Sequence, residues 1–461
     1  MKRLFRYLSA ILILSVATTS CVKPDDDTSD NPILGEDQVK WVYSLSTLLG
    51  SEIVDKSMPA FDSENNGYYL VEIDATAGSA TELNDAYVVA LDKTGTLLWQ
   101  TKIADTPESD LNESYLAYAD DKIVVSTYSR IICLNAQSGT QNWSIYSPRT
   151  YWVNSMSVAQ GKVFFVESSW PEKLVGFNLE DGSEICSISL NKNGEDIRGE
   201  ATLISGSNVF VSVSDINNNN GWYSGLYIFD INSLNNVLEP SHAYTTPPDY
   251  YPASSCLISS AANTALFLAK YQGSENQPGC YLISVNANGN ENWKAEVPEE
   301  VTQLFTDAQG NIYAQGSDYL LKFSPSGAKL YQTSIPFATY VDELEITESN
   351  VFYGVAGNPE TGEELNLFAT FSLSTGAELL RKTEYFPYAQ MEGSSLAVNE
   401  ENNSRLGKNA SFASGKKVID AEGNVISISS NNIYCLKDPN QKLMTGAWAK
   451  RNGNLGNTNA W

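Results

Sequence analysis

Histidine and cysteine are the residue types that most often carry chemistry in proteins, and this chain uses both sparingly. His242 is the only histidine among 461 residues, so any Ser/His or Cys/His catalytic pair, and most zinc sites, would have to use it. It stands near Pro240, Pro247 and Pro248, a composition typical of a loop. We predict a loop residue at His242 and no catalytic role for it.

The cysteines do not form a redox motif, because no two of them are adjacent. Cys133 and Cys435 occupy the same small, inward-packing position of a repeated strand, and Cys186 occupies a second repeated position. A free cysteine in such a place behaves as a small hydrophobic residue. We interpret the cysteines mainly as core residues, and a bridge between Cys256 and Cys280 stays open as an alternative.

One polar segment, 215–221, looks superficially like a calcium loop. It runs Asp-Ile-Asn-Asn-Asn-Asn-Gly, so its glycine falls one position later than in a calcium loop and most of its oxygens belong to neutral amides. We predict a solvated hairpin loop and no metal site. The chain contains no Walker loop, dinucleotide fingerprint or G-x-S-x-G motif.

A short strand pattern is repeated along the chain. Each copy has an aliphatic or aromatic run, a polar turn that contains Gly, and a second short strand, and two further strand-like runs precede it. The central residues of the eight copies are Ala90, Cys133, Gly176, Ile228, Ser284, Lys322, Thr370 and Cys435. Four antiparallel strands per unit, repeated radially, predict an all-β fold, an eight-bladed β-propeller. Seven blades stay open, because the fourth and seventh copies are irregular.

The two ends of the repeat region predict how the ring closes. Trp41 lies in a strand that has no preceding copy of its own, and the copy around Cys435 lacks a clear fourth strand. We therefore predict that the N-terminal strand completes the last blade. Residues 39–461 would then form one propeller domain with a C-terminal tail.

The repeat resembles the tryptophan-docking motif of the quinoprotein propellers, which are eight-bladed and are named for pyrroloquinoline quinone. Ala90–Trp99 carries the motif in full, with Ala, Leu, Asp, Gly and Trp in order, and Cys133–Trp143 and Ser284–Trp293 carry it with small changes. In that family the large ring packs against the neighbouring blade. The resemblance thus implies structural docking roles for Trp41, Trp99, Trp143 and Trp293.

The resemblance does not extend to catalysis. Quinone-dependent dehydrogenases of this family need a calcium ion, an Asp base and a vicinal disulfide stacked on the cofactor. This chain has no adjacent cysteines, and Cys186, Tyr331 and Leu380 replace the docking tryptophan in the weaker copies. We expect a protein that is not an enzyme, without cofactor, although scattered carboxylates in a propeller mouth leave activity open.

Aromatic residues collect on one side of the predicted ring. Loops that join the second and third strands of a blade open on the same face as the connections between blades, and the docking turns lie opposite. The first face gathers Tyr151, Trp152, Trp170, Trp222, Tyr223, Tyr250, Tyr251, Phe386 and Tyr388. Such rings offer apolar contact area at low entropic cost. We predict a ligand-binding face for a glycan or an envelope protein, and the alternative is that the rings cap the blade ends as core.

The N-terminal residues predict export of the protein from the cytoplasm. Residues 1–20 begin with Lys2 and Arg3, continue as a short apolar run and end in small residues, which indicates a signal peptide. The apolar run is about half of the ~20 residues that a membrane-spanning helix needs. Cys21 follows directly and resembles the lipidated cysteine of bacterial lipoproteins, with a plain secreted protein as the alternative.

The segment after Cys21 predicts a tether. Residues 21–38 are polar and punctuated by proline, which indicates a flexible linker. Lys23 followed by 25–27, three aspartates, resembles the surface-export signal of lipoproteins in the Bacteroidetes. We expect a lipid anchor in the outer membrane with the propeller exposed at the cell surface, and the periplasmic face is the alternative.

Charge excludes one class of partner. The chain has 29 basic and 55 acidic residues, a net charge of -26, and such a surface repels nucleic acid. We expect a monomer that binds a glycan or an envelope protein. A periplasmic-side scaffold, similar to the propeller lipoprotein of the outer-membrane β-barrel assembly machine, is the second hypothesis, and a quinone or metal enzyme is the third.

Overall fold

The structure, a computed structural model, describes residues 39–49, 53–56, 59–74, 84–106, 115–127, 130–146, 156–167, 171–191, 197–215, 224–236, 239–246, 250–252, 257–271, 279–298, 301–316, 319–335, 341–356, 366–384, 416–428 and 432–436. The signal peptide 1–20, Cys21, the tether 21–38, Cys256 and the C-terminal tail lie outside these residues and stay predictions. Within the described ranges, no helix is long and apolar enough to cross a membrane.

The strands form eight antiparallel sheets, which confirms the eight-bladed β-propeller. Blade 1 contains β2 (Ile53–Lys56), β3 (Ala60–Phe61), β4 (Gly67–Asp74), β5 (Asn84–Leu91) and β6 (Leu97–Thr106). Blade 2 contains β7 (Tyr115–Ala119), β8 (Lys122–Ser126), β9 (Arg130–Asn135) and β10 (Gln141–Tyr146). Blade 3 contains β11 (Met156–Ala159), β12 (Lys162–Glu167), β13 (Lys173–Asn178) and β14 (Glu184–Ser189).

The next three blades follow the same order. Blade 4 contains β15 (Ile197–Ser205), β16 (Asn208–Asp215), β17 (Ser224–Asp230) and β18 (His242–Thr245). Blade 5 contains β19 (Tyr250–Pro252), β20 (Thr264–Tyr271), β21 (Cys280–Asn286) and β22 (Glu291–Val297). Blade 6 contains β23 (Gln303–Thr306), β24 (Ile312–Gln315), β25 (Tyr319–Phe323) and β26 (Lys329–Ser334).

The last two blades close the ring. Blade 7 contains β27 (Val341–Ile346), β28 (Asn350–Ala356), β29 (Asn366–Ser372) and β30 (Glu378–Glu384). Blade 8 contains β31 (Lys416–Ile419), β32 (Val425–Ile428), β33 (Asn432–Leu436) and, as its fourth strand, β1 (Val39–Ser44). Helical structure in the described residues is limited to α1 (Leu45–Leu49) and a 3-10 helix (Ile231–Asn236).

The N-terminal strand closes the propeller as predicted. β1 pairs antiparallel with β33, and Trp41 lies opposite Cys435. The ammonium of Lys40 lies 2.8 Å from the Glu422 carboxylate, which in turn lies 3.6 Å from the Lys93 ammonium of blade 1. Two cations from different blades therefore converge on one carboxylate at the seam of the ring.

Burial explains why the strands differ in composition across a blade. In β9 the four residues from Ile131 to Leu134 are all buried, as expected for a strand covered on both faces. The fourth strand β26 has no buried residue and alternates between exposed and intermediate positions, because it forms the edge of its sheet. The core therefore lies between neighbouring blades, along their inner strands.

Hydroxyl, amide and carboxylate groups join the described inner parts of several neighbouring blades. These contacts are Ser157 Oγ to Thr202 Oγ1 at 3.1 Å, Ser205 Oγ to Ser259 Oγ at 3.0 Å, the Ile419 N–H to Glu345 Oε2 at 2.6 Å, and Asn65 Nδ2 to Asp420 Oδ2 at 2.9 Å. Buried polar groups that are paired in this way fix the position of one blade relative to the next.

Two details differ from the expectations. Blade 1 has five strands, because both β2 and β3 pair with β4. His242 is the first residue of β18 and lies opposite Ile228, so the loop prediction was wrong. Pro240 stands before this edge strand and Pro247 after it, so neither proline removes a hydrogen-bond donor from the strand.

Candidate functional site

The contact between blades 1 and 2 shows how a docking ring works. Trp99 donates its indole N–H to the backbone carbonyl of Ala136 at 2.8 Å and is only 9% exposed. Its ring lies against Gly139, where an added Cβ would come within 2.6 Å of ring atom Cδ2. Gly139 also has a φ of +69°, which side chains rarely tolerate. The turn glycine is therefore required twice, for backbone conformation and for space.

Three other tryptophans make the same contact. Each donates its indole N–H to a carbonyl at the start of the next blade's docking turn and covers the glycine of that turn. The pairs are Trp41 with Lys93 at 3.0 Å, Trp143 with Leu179 at 2.9 Å, and Trp293 with Pro325 at 2.9 Å. All four rings therefore lie against the turn glycine of the neighbouring blade in the same way.

Blade 6 makes this contact with different chemistry. Tyr331 stands at the docking position, opposite Lys322, and has no indole N–H to donate. The Lys322 ammonium donates instead to the carbonyl of Leu373 in blade 7, at 2.7 Å. The Leu373 carbonyl occupies the same position in the docking turn of blade 7 as the Ala136 carbonyl, which Trp99 binds, occupies in blade 2. Lys322 thus supplies the hydrogen bond that a tryptophan supplies elsewhere.

The buried ammonium of Lys322 is also stabilised by the carboxylate of Asp307 and the ring of Tyr313. Lys322 is 7% exposed, lies 3.6 Å from Asp307 Oδ2, and its ammonium stands 4.8 Å from the centre of the Tyr313 ring. Burial lowers the pKa of Lys322, and the attraction of Asp307 opposes that shift. The lysine is therefore held by a carboxylate, an aromatic face and a carbonyl.

Asp307 belongs to a hairpin motif that the sequence reasoning missed. Its carboxylate accepts the backbone N–H groups of Gln309 and Asn311, the Asn311 side-chain amide and the Tyr313 hydroxyl. The same spacing, Asp followed by Asn four residues later, recurs in the first hairpins of blades 1 and 8, at Asp62 and Asp420. The Asp and Asn residues of this motif lie in the turns between first and second strands, outside the strand pattern that defines the repeat.

Three of the four described thiols, those of Cys133, Cys186 and Cys435, are poor nucleophiles. Burial raises the pKa of Cys133 to about 11 and the pKa of Cys186 and Cys435 to about 12. A thiol reacts as its thiolate, so these three groups are unreactive near neutral pH. Across the described ranges, no group of three or more His, Cys, Asp and Glu side chains is placed to hold a metal ion.

The predicted aromatic face lies mostly outside the described residues. Seven of its nine residues lie outside the described residues, namely Tyr151, Trp152, Trp170, Trp222, Tyr223, Phe386 and Tyr388. Tyr250 and Tyr251 are the first two residues of β19. Tyr250 is 7% exposed, so its ring is buried at the blade end rather than displayed.

Tyr250 is the base of a tyrosine cluster at the end of blade 5. Its ring centre lies 5.1 Å from that of Tyr271 and 5.2 Å from that of Tyr281. Tyr271 ends the second strand and Tyr281 lies near the start of the third, so both face the side where these strands are connected. The Lys294 ammonium stands 5.5 Å from the centre of the Tyr281 ring. Burial, followed by interaction with Tyr281, raises the pKa of Tyr250 to about 12.

Tyr271 and Tyr281 are partly exposed, and the sequence reasoning did not identify them. Both stand inside strands, whereas the prediction considered only residues in loops. Aromatic residues at the last positions of the second strand and the first positions of the third are the signal that would have found them. We name Tyr250, Tyr271, Tyr281 and Lys294 the tyrosine cluster.

The comparisons with known proteins agree with this fold. Residues 84–185 match the model of a family described as outer membrane protein assembly factor BamB. No curated protein sequence matches the chain. BamB from Moraxella catarrhalis is similar in structure, with a TM-score of 0.50 and 11% identity over 84% of this chain and 100% of that one.

A second solved structure with a similar fold is an alcohol dehydrogenase. The quinohemoprotein alcohol dehydrogenase ADHIIG from Pseudomonas putida HK5 is similar with a TM-score of 0.50 and 11% identity, over 88% of this chain and 77% of that one. At such identities the likeness extends to the fold alone. The chain has a PQQ-like β-propeller fold.

Proposed function

We propose that this protein is a non-catalytic binding module of the cell envelope, anchored by lipid on Cys21, that engages a glycan or an envelope protein. The face that joins second to third strands, here named the strand 2–3 face, makes the contact. The observation that carries the proposal is the tyrosine cluster at this face. The match of 84–185 to the BamB family model supports an envelope role.

The tyrosine cluster has the physical properties of a binding surface. Tyr271 and Tyr281 are partly exposed, and both rings pack on the buried Tyr250. Tyrosine loses little conformational entropy on binding, and here the packing restricts the rings in advance. Lys294 stands over Tyr281 and adds one cation beside the aromatic surface. The predicted neighbours Trp152 and Trp222 would extend this surface.

The absence of catalysis is proposed from the chemistry of the groups that are present. The thiols of Cys133, Cys186 and Cys435 are protonated near neutral pH, and His242 lies on the outer strand of blade 4. Titration with pyrroloquinoline quinone and calcium tests this part. Saturable binding followed by redox turnover would show that the protein is an enzyme.

A periplasmic-side scaffold is the second candidate. The observation that favours it is the structural likeness to BamB over the whole of that chain. Protease treatment of intact cells separates the two orientations, because only a surface-exposed propeller is digested. Digestion supports the surface module, and protection until the outer membrane is opened supports the scaffold.

The binding proposal is tested with the propeller immobilised from residue 39 onward, against a glycan array and against detergent-solubilised envelope proteins. We expect Tyr281→Ala, Trp152→Ala and Trp222→Ala each to weaken binding by about 1 to 3 kcal/mol while thermal stability stays nearly unchanged. Leu330→Ala is the control, because Leu330 is 53% exposed near the start of the outer strand of blade 6, at the docking-turn end of that strand. If the control weakened binding as much as Tyr281→Ala, the proposed face would be wrong.

A further inference from the structure

A groove opens between blades 5 and 6 on the docking-turn face, which we define as the face formed by the turns between third and fourth strands and between first and second strands. Its volume is about 530 Å³. Small-molecule sites usually measure about 300 to 1,000 Å³. The groove is lined by Ser260, Ala261, Ala262, Thr264, Ser284, Asn292, Trp293, Ala308, Gln309, Gly310 and Pro325.

Small side chains around a docking tryptophan create this groove. In blade 1, Tyr68 lies opposite Ala90 and covers Trp99, with the ring centres 6.0 Å apart. In blade 5, Leu266 takes the place of that tyrosine opposite Ser284. Trp293 is only partly buried, whereas Trp99 is buried. One part of the Trp293 ring packs on the next blade, and another part remains available in the groove.

The floor of the groove is closed by backbone. Gly310 has a φ of +76°, and a Cβ added to it would lie 3.2 Å from the carbonyl oxygen of Ser260. Blades 5 and 6 thus meet closely below the groove. Trp293 is fixed from the other side by its hydrogen bond to the Pro325 carbonyl at 2.9 Å. The aromatic wall is therefore held in place before any ligand arrives.

The polar groups of the lining are all neutral. None of the eleven lining residues is Asp, Glu, Lys or Arg. Asn292 binds Ser284 Oγ through its Nδ2 at 3.2 Å, so this amide is oriented. Within the part of the chain that the structure describes, the Gln309 amide and the Ser260 hydroxyl make no side-chain hydrogen bond and remain available to a ligand. The nearby Asp307 carboxylate is occupied by its own hairpin.

We propose that this groove binds a neutral saccharide. An aromatic face that packs on the C–H surface of a sugar ring, flanked by amides and hydroxyls that bind its hydroxyl groups, satisfies both sides of such a ligand. An anionic ligand would meet a chain of net charge -26 and no cation in the lining. A basic peptide would find no carboxylate there. This site goes beyond the proposed function, since it lies on the face opposite the tyrosine cluster.

The test uses isothermal titration of the propeller with neutral malto-, cello-, manno- and xylo-hexaose, and with an oligogalacturonate as the anionic comparison. We expect at least one neutral probe to bind and the anionic probe not to bind. Gln309→Ala removes one hydrogen bond and should lower the affinity by about 2- to 10-fold. Ala308→Trp fills the groove and should abolish binding, and Ala262→Phe serves if that variant does not fold.

Gln137→Ala is the matched control, because Gln137 is an exposed amide in the docking turn of blade 2. It should leave the affinity unchanged. Failure of every neutral probe to bind, or equal affinities for Gln309→Ala and Gln137→Ala, overturns the groove site. If Tyr281→Ala abolishes saccharide binding while the groove variants keep it, the sugar binds the strand 2–3 face. The groove proposal then fails, and the proposed function stands.

Discussion

Replacing Lys322 tests whether its ammonium substitutes for a docking indole. The Lys322→Ser variant loses the hydrogen bond to the Leu373 carbonyl, which is 2.7 Å long and made by a side chain that is 7% exposed. Hydrogen bonds to charged groups contribute about 1.5 to 3 kcal/mol. Relief of the cost of burying the ammonium, which the lowered pKa of Lys322 indicates, offsets part of this loss. We expect a net destabilisation of about 1 to 3 kcal/mol.

A second substitution is designed to restore the hydrogen bond to the Leu373 carbonyl with an indole N–H in place of the ammonium. Blade 5 has Ser284 opposite Trp293, so Tyr331→Trp in the Lys322→Ser background recreates that pair in blade 6. The new indole N–H can reach the Leu373 carbonyl, and we expect the double variant to regain most of the lost stability. In the wild-type background, Tyr331→Trp brings a second donor to an occupied carbonyl and should destabilise. The coupling energy should fall in the range of about 0.5 to 3 kcal/mol.

Urea unfolding of the wild type, the two single variants and the double variant measures this coupling. Tyr331→Phe is the control, because the buried Tyr331 hydroxyl has no hydrogen-bond partner among the described residues and its removal should cost nothing. If Tyr331→Trp changed the free energy of unfolding equally with and without Lys322, the two side chains would be independent. The idea that they share one carbonyl would then be refuted.

Three further predictions concern the other blade contacts and the thiols. Trp99→Ala should lower the free energy of unfolding by about 3 to 5 kcal/mol, and an unchanged melting temperature would contradict its docking role. Gly139→Ala should destabilise through its φ of +69° and the clash with Trp99, whereas Gly161→Ala, at φ +67° with open space around it, isolates the backbone part. Burial raises the pKa of Cys133 from 9.0 to about 11, so the folded state favours the neutral thiol. The neutral thiol therefore contributes fully to the free energy of unfolding below pH 9, and this contribution is lost as the pH rises through about 11. Chemical denaturation across this pH range should show that Cys133→Ala loses less free energy of unfolding than the wild type. An identical loss in both proteins would contradict the raised pKa of Cys133.

The features predicted correctly were those encoded by local spacing. The spacing of nine or ten residues between a small residue and a tryptophan identified the third and fourth strands. A missing fourth strand at one end of the repeat region and an extra strand at the other placed Trp41 beside Cys435. The contacts that were missed depend on which residues face each other across strands or blades. Nothing in the sequence around Lys322 indicates that its ammonium binds the Leu373 carbonyl of blade 7. Tyr271 and Tyr281 are separated by nine residues in the sequence, and both of their rings contact Tyr250.

The distribution of blade contacts around the ring also bears on function. Blades 1 and 2 fill their interface with Tyr68, Trp99 and Tyr118, and blade 6 fills its own with Lys322 and Tyr331. Blade 5 leaves the space beside Trp293 unfilled and carries the tyrosine cluster at its opposite end. A blade whose third strand is buried cannot shift without disturbing both neighbours, so ligands at either end of blade 5 would meet a rigid support. Binding at one end should therefore leave affinity at the other unchanged, and titrating a saccharide in the presence of the envelope partner measures whether the two sites are independent.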